Sequence, residues 1–250
     1  MTTRQKTRRR TTLALILTGL LVVTATAFAG YRLMNARSYQ LFGTLVDRVD
    51  TDEKVVALTF DDGPTSRTPE VLRLLNEAGI RATFYLNGTD LRANPEHGRR
   101  IADAGHELGN HTDTHRRMVF VSADTVRDEI ERTDEAIRAT GYTGPITVRP
   151  PYGKKLLGLP HYLAEHDRTT VMWDVEPDSA ATADTADTAD TADTAGIVAA
   201  TLAQTRPGSI ILMHVMFPSR QASLDAVPDV LAGLTAEGYR FVTVSELLES

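Results

Sequence analysis

Cysteine is absent from the 250 residues. That excludes a disulfide framework, a thiolate zinc site and a cysteine nucleophile, so any bound metal has to be held by histidine and carboxylate. The absence fits an oxidising compartment without demanding one. A basic surplus is also missing from the body of the chain. The net charge is −6, and five of the positive charges (Arg4, Lys6, Arg8, Arg9, Arg10) crowd into the first ten residues. Setting those five aside leaves the remainder near −11, which argues against a nucleic-acid partner, since a phosphate backbone calls for a basic face.

Charge of either sign is lacking from Thr11 to Gly30, whose centre runs Leu13-Ala14-Leu15-Ile16-Leu17 and Leu20-Leu21-Val22-Val23. With no polar face, this stretch does not read as a packed core helix. It reads as an export signal or a membrane anchor over residues 1–30. Ala27-Phe28-Ala29 offers a small-residue cleavage site, while about 20 uncharged residues also suffice to span a bilayer. We adopt the retained anchor, with the cleaved signal as its alternative. The arginines before it place that end in the cytoplasm and the domain outside, secreted or membrane-held.

Residues 31–50 show no period and are expected to link this helix to a domain over 51–250. There, short apolar runs alternate with amphipathic stretches. Expected strands are Val55–Phe60, Ala82–Leu86, Glu107–Gly109, Ile146–Arg149, Thr170–Trp173, Ser209–Met213 and Arg240–Val242. Expected helices are Thr68–Ala78, Pro95–Ala104, Ala123–Thr140, His161–His166, Gly196–Gln204 and Ser223–Glu237. Gly79, Gly105, Gly141 and Gly238 stand where helix C-caps stand. Strand and helix in alternation predict parallel strands, an α/β fold and, with about seven strands, an irregular (β/α) barrel rather than an open sheet. Ligand sites of such folds gather at the carboxyl ends of the strands. From Thr182 to Ala195 the triplet Thr-Ala-Asp repeats with no side chain larger than alanine among its apolar positions. Nothing there can drive packing, and a disordered surface loop is expected.

Four chemical signals fall at predicted strand ends. Asp61 and Asp62 close an apolar run before Gly63-Pro64; alone, such acids are ordinary turn and cap residues. His111 and His115 lie four apart, a spacing that on one helical turn aims both at one ion. Arg149 precedes two prolines that stiffen the backbone beyond it. His214 ends the run Ile210–Met213. One site drawing residues from several strands accounts for all four together. An aspartate with two histidines suits a divalent ion with a position left for water, and a second acid and a third histidine remain as base and acid.

At these residues the chain resembles the polysaccharide deacetylases that share the NodB homology domain, carbohydrate esterase family 4. The carrying motifs are TFDD (59–62), HTDTH (111–115), RPPY (149–152), WDVEPD (173–178) and LMH (212–214), in the family's order, with ATFYLNG (82–88) and AGHELGNHT (104–112) beside them. The likeness covers roughly Lys54 to Leu248. It implies that Asp62, His111 and His115 bind a divalent metal, Zn2+ first, with Co2+, Ni2+ or Mn2+ as alternatives. It implies that Asp61 is the general base, aimed by Arg149, and His214 the general acid. Tyr152 would hold the oxyanion through its backbone N–H, and Leu212 and Trp173 would meet the acetyl group. Glu176 replaces the aspartate that orients the catalytic histidine, and the tryptophan expected further on is missing, so the rim there departs from the family.

The implied activity is removal of N-acetyl groups from a cell-wall or extracellular polysaccharide such as peptidoglycan or chitin, by a monomer. Alternatives are an O-acetyl esterase on acetylated glycans and a non-catalytic cell-wall-binding module.

Overall fold

Along Val55–Asp61 (β2) every residue is buried, but the two faces go to different places. Val56, Leu58 and Phe60 join the main core with Val71 and Leu75, whereas Val55 and Ala57 join a second cluster with Tyr85, Trp173, Ile210 and Leu212. That is the period-two alternation of a strand whose one face looks into a barrel and whose other face is covered by helices. The same split holds in β6 (Ile210–Met213), where Ile211 and Met213 face the helices and Ile210 and Leu212 face inward. Carried on in steps of two, the inward lines arrive through Thr59 at Asp61 on one strand and at His214 beyond the other.

The computed structural model describes residues 3–178 and 192–250. The remaining strands are β1 (Leu45–Val46), β3 (Thr83–Leu86), β4 (Glu107–Asn110), β5 (Thr170–Val171) and β7 (Arg240–Val242). All ladder pairings are parallel: β4-β3-β2-β6 form one run, β7 adds to β2, and β1 pairs with β5. Single bridges complete the circuit, Asn110 with Val148, Val148 with Thr170, and Val175 with Ile211. The result is the expected irregular barrel of parallel strands with an apolar helix before it.

Its seven strands are not the seven anticipated. Ile146–Arg149 contributes only the Val148 bridges, because Pro145 and Pro150 enclose it and a proline has no N–H for a ladder. The missing strand is replaced by β1, inside the stretch expected to be a linker. Residues 31–50 are therefore docked on the domain, with Thr170 N–H bonded to Thr44 and Met172 N–H to Val46.

The outer layer comprises α2 (Thr68–Ala78), α3 (Gly88–Ala93), α4 (Pro95–Asp103), α5 (Ala123–Ala139), α6 (Gly158–Glu165), α7 (Thr194–Gln204), α8 (Gln221–Ala236) and α9 (Val244–Leu248). Gly79 caps α2 in the left-handed conformation, as expected of that glycine. The expected loop over Thr182–Ala195 ends early. Asp193 accepts a hydrogen bond from Gly196 N–H and caps α7, which starts at Thr194 within the last triplet. An aspartate ahead of an apolar helical run is a strong N-cap, and it captures the end of the repeat. Positions 182–191 of the repeat lie outside the described residues.

Before the domain stands α1 (Thr3–Met34), whose Thr12–Met34 portion holds an 18-residue window of mean hydropathy 2.2, none of it buried.

Candidate active site

The inward lines of the strands converge at their carboxyl ends. Arg149, fully buried, sits at the centre: its guanidinium donates to Asp61 Oδ1 at 2.7 Å and to Thr59 Oγ1 at 2.8 Å. Its other nitrogens donate to the carbonyls of Val171 and Met172. The cation lies 4.1 Å from the ring centre of Tyr85 and 5.4 Å from that of Trp173. Gly109 is required by this stack, since a Cβ there would fall 2.4 Å from the Tyr85 ring. Burial alone would push the Asp61 carboxyl up. The charges of Arg149, His111 and His214, with the Arg149 hydrogen bond, outweigh it and hold the group below the usual range. Asp61 is thus a buried carboxylate kept ionised.

Asp62, His111 and His115 offer one oxygen and two nitrogens that all lie within 4.8 Å of one another. His115 Nε2 is 3.3 Å and His111 Nε2 3.9 Å from Asp62 Oδ1, and His111 Nε2 is 3.6 Å from Asp61 Oδ2. His111 Nδ1 stands 2.7 Å from the carbonyl of Arg149. A carbonyl only accepts, so Nδ1 carries the proton and the Nε2 lone pair is turned toward Asp62. Burial, against the pull of Asp61, lowers the proton affinity of His111 and keeps it neutral. Asp62 Oδ2 and His115 Nε2 are buried without hydrogen-bond partners. Orphaned polar atoms of this kind are costly unless another group completes them. The donor set and its two unsatisfied atoms fit a divalent cation.

The two histidines are not presented by a helical turn, as their spacing suggested. Residues 111–115 form a loop held from outside. Asn87 donates to the His111 carbonyl, Asn110 Oδ1 accepts from Thr112 N–H, Arg92 pairs with Asp113, and the Glu129 carboxylate takes both Thr114 N–H and its hydroxyl. Asp62, Thr112, His115 and Tyr152 all hold positive φ, between 55° and 75°. Such conformations cost on the order of 1–3 kcal/mol each and concentrate at functional sites.

His214 meets a different carboxylate from the one its motif suggested. Asp178 Oδ1 lies 3.3 Å from His214 Nδ1, and Asp178 Oδ2 accepts from His214 N–H at 2.6 Å and from Ser223 at 3.0 Å. Glu176, assigned that orienting role from the motif, instead accepts from Trp173 Nε1 at 2.8 Å and pairs with Arg37 at 2.6 Å. Asp178 is held beside the end of β6 by Ser223 and by Arg220, which donates to its carbonyl at 3.0 Å, while the longer glutamate arm turns to the indole. Burial would lower His214, but the charge and hydrogen bond of Asp178, with Asp62 and Asp61 adding, raise it to about 9.

The motifs do not single out Thr59 as an anchor for Arg149, nor Arg37, Arg220 and Ser223 as the residues that hold Glu176 and Asp178. Thr59 was discoverable, being two residues before Asp61 on the same strand face. The other three come from distant segments. Leu212 and Trp173 are buried in one cluster beside Tyr85, and the Tyr152 ring packs 4.7 Å from that of His115.

An ionised acid, an oxygen–nitrogen–nitrogen donor set and a proton-rich imidazole within one barrel mouth make up the equipment of a hydrolase. Comparison with known proteins gives the same class. Residues 48–171 match the polysaccharide deacetylase family. A peptidoglycan-N-acetylglucosamine deacetylase of Bacillus cereus is 36% identical over 198 residues, covering 78% of this chain and 68% of that protein. The peptidoglycan-N-acetylglucosamine deacetylase PgdA of Listeria monocytogenes is 36% identical over 203 residues. Of that relative the chain spans only 39% of the length. The crystal structure of the Bc1960 peptidoglycan N-acetylglucosamine deacetylase superposes with a TM-score of 0.74 at 32% identity, covering 82% of this chain and 93% of that one. The chain belongs to the polysaccharide deacetylase family.

Proposed function

We propose that this protein hydrolyses N-acetyl groups on peptidoglycan amino sugars, outside the cytoplasm, with residues 51–250 as the catalytic domain and α1 retained in the membrane. The observation that carries the reading is the Asp62–His111–His115 donor set lying against an Asp61 carboxylate clamped by Arg149. A divalent ion on those three residues, Zn2+ by the borderline nature of the donors, supplies a Lewis acid and eases deprotonation of water.

The chain's own groups do the rest. Asp61, kept ionised, takes the proton of the water that attacks the acetyl carbonyl. The backbone N–H of Tyr152 is the donor for the developing oxyanion. An amide nitrogen leaves only after gaining a proton, and His214, protonated through neutrality and held by Asp178, delivers it. Leu212 and Trp173 bound the acetyl group. The products are acetate and a free amine on the glycan.

The test is acetate release from peptidoglycan, chitooligosaccharides and acetylated xylan by the full chain, before and after chelation and metal restoration. Release from the amino sugars that chelation abolishes and Zn2+ restores is expected. Turnover of the O-acetyl substrate alone would move the reading to an esterase, and sugar binding without any metal-dependent release would leave only a binding module.

A further inference from the structure

Outside α1, five large apolar side chains are exposed among the described residues: Tyr39, Leu41, Phe42, Phe120 and Leu157. They come from three segments, yet all three adjoin the point where α1 enters the domain. Tyr39, Leu41 and Phe42 follow α1 directly, and the Phe42 ring meets His161 of α6 edge-on at 5.2 Å. Leu157 immediately precedes α6. Phe120 and Leu157 each lie two residues beyond the parallel bridge between Met118 and Lys155. Phe120 is 89% exposed. Scattered single apolar residues need no explanation, but a set confined to one face marks a contact surface.

The root of α1 is fixed to that face. Lys155 donates its N–H to the Met34 carbonyl and its ammonium to the Ala36 carbonyl, and Lys154 Nζ bonds Asn35 Oδ1 at 2.8 Å. Arg37 then pairs with Glu176. The domain is therefore held close to the end of the helix instead of swinging on a tether.

Length supplies the occupant. At about 1.5 Å per residue the uncharged run from Thr11 to Gly30 is about 30 Å long, the thickness of a hydrocarbon core. Met34 then falls at the membrane boundary, and Tyr39 to Phe42 follow within eight residues of it. Aromatic side chains with basic neighbours, here Arg116 and Arg117 in the loop that carries Phe120, are the composition of a bilayer interface.

We propose that the face formed by Tyr39–Phe42, Phe120 and Leu157 rests in the outer interface of the membrane that α1 crosses, giving the domain a second, peripheral hold on the lipid. This rests on the reading of α1 as a retained span, and not on the assignment of the reaction. It also brings the rim of the site to the lipid, since Arg117 of the same loop stacks on Tyr152 at 4.7 Å.

The lack of native cysteine makes the test direct. Full-length variants V22C, F120C, L157C and E77C, each bearing an environment-sensitive fluorophore, are placed in nanodiscs of phosphatidylethanolamine and phosphatidylglycerol. Spin labels are carried either on the lipid headgroup or in mid-chain, and iodide serves as the aqueous quencher. Labels at 120 and 157 should lose fluorescence to the headgroup probe, the label at 22 to the mid-chain probe, and the label at 77, an exposed position in the last turn of α2, to neither. Quenching at 22 with none at 120 or 157 would overturn the docked face while leaving the anchor intact. Shielding of 120 and 157 from iodide without lipid quenching would assign the face to a second copy or another protein, and so would also overturn it. No lipid quenching at 22 would remove the anchor and this proposal together.

Discussion

Exchange of Asp178 for asparagine separates the two carboxylates that compete for the role of orienting His214. The structure gives His214 two hydrogen bonds to Asp178, from its ring and from its backbone, and none to Glu176. Against an ordinary value of 6.5, His214 is raised to about 9, with Asp178 the leading favourable contributor over the cost of burial. That difference corresponds to about 3 kcal/mol in favour of the imidazolium, at about 1.4 kcal/mol for each tenfold change in proton affinity. A neighbouring opposite charge accounts for about 1–3 pH units of such an effect, so Asp178→Asn is expected to lower His214 by that amount. A general acid must enter the reaction protonated. Activity is therefore retained below the folded-state value and lost as pH rises through it, and the variant should lose activity at correspondingly lower pH. The assay is acetate release across pH 6 to 10 for the parent, Asp178→Asn and Glu176→Gln, with the His214 ring followed by NMR titration. Glu176→Gln should keep the parental alkaline limb. Movement of that limb in Glu176→Gln with none in Asp178→Asn would refute the assignment of Asp178.

Arg149→Met removes the guanidinium bonded to the buried Asp61 carboxylate; leaving that charge without its partner should cost about 3–5 kcal/mol, read as a fall in urea midpoint, and should abolish acetate release. His115→Ala should strip bound metal, measured by elemental analysis after dialysis, while the far-UV circular dichroism stays parental, since the loop is held by Asn87, Asn110, Arg92 and Glu129 rather than by that ring. His106, buried and accepting from Ala82 N–H at 3.2 Å, is lowered to about 4 by burial first and Arg81 second. The unfolded chain binds a proton near 6.5 that the folded chain refuses until about 4. Stability is thus full above 6.5 and declines as pH falls through this window, by up to about 3 kcal/mol. Denaturation at pH 7 and pH 4.5 should show a smaller loss for His106→Asn, which keeps an acceptor and does not titrate; parallel losses would exclude His106 as the cause.

The order of elements and most of the side chains that meet at the candidate site were legible in the chain because they depend on local pattern. Buried strands write themselves as short apolar runs, glycine marks the left-handed caps, and an acid or histidine one step beyond such a run lands at a barrel mouth. Asp61, Asp62, His111, Arg149 and His214 were legible on those grounds, as was the helix preceding the domain. The family's motifs added roles that spacing alone left open.

Partnership was decided by tertiary structure. Whether Glu176 or Asp178 faces His214 turns on which residue the chain carries beside β6, a matter of tertiary placement between positions 36 apart. The barrel closes through Val148 and Val175 as single bridges and recruits Leu45–Val46 from a stretch with no period of its own, because a two-residue strand is too short to leave one. The apolar residues Phe120 and Leu157 look unremarkable in sequence; only the fold gathers them with Tyr39–Phe42 at the root of α1. Local sequence encodes burial and secondary structure through short-range sterics and hydration, whereas contacts between distant segments exist only once the chain has closed on itself.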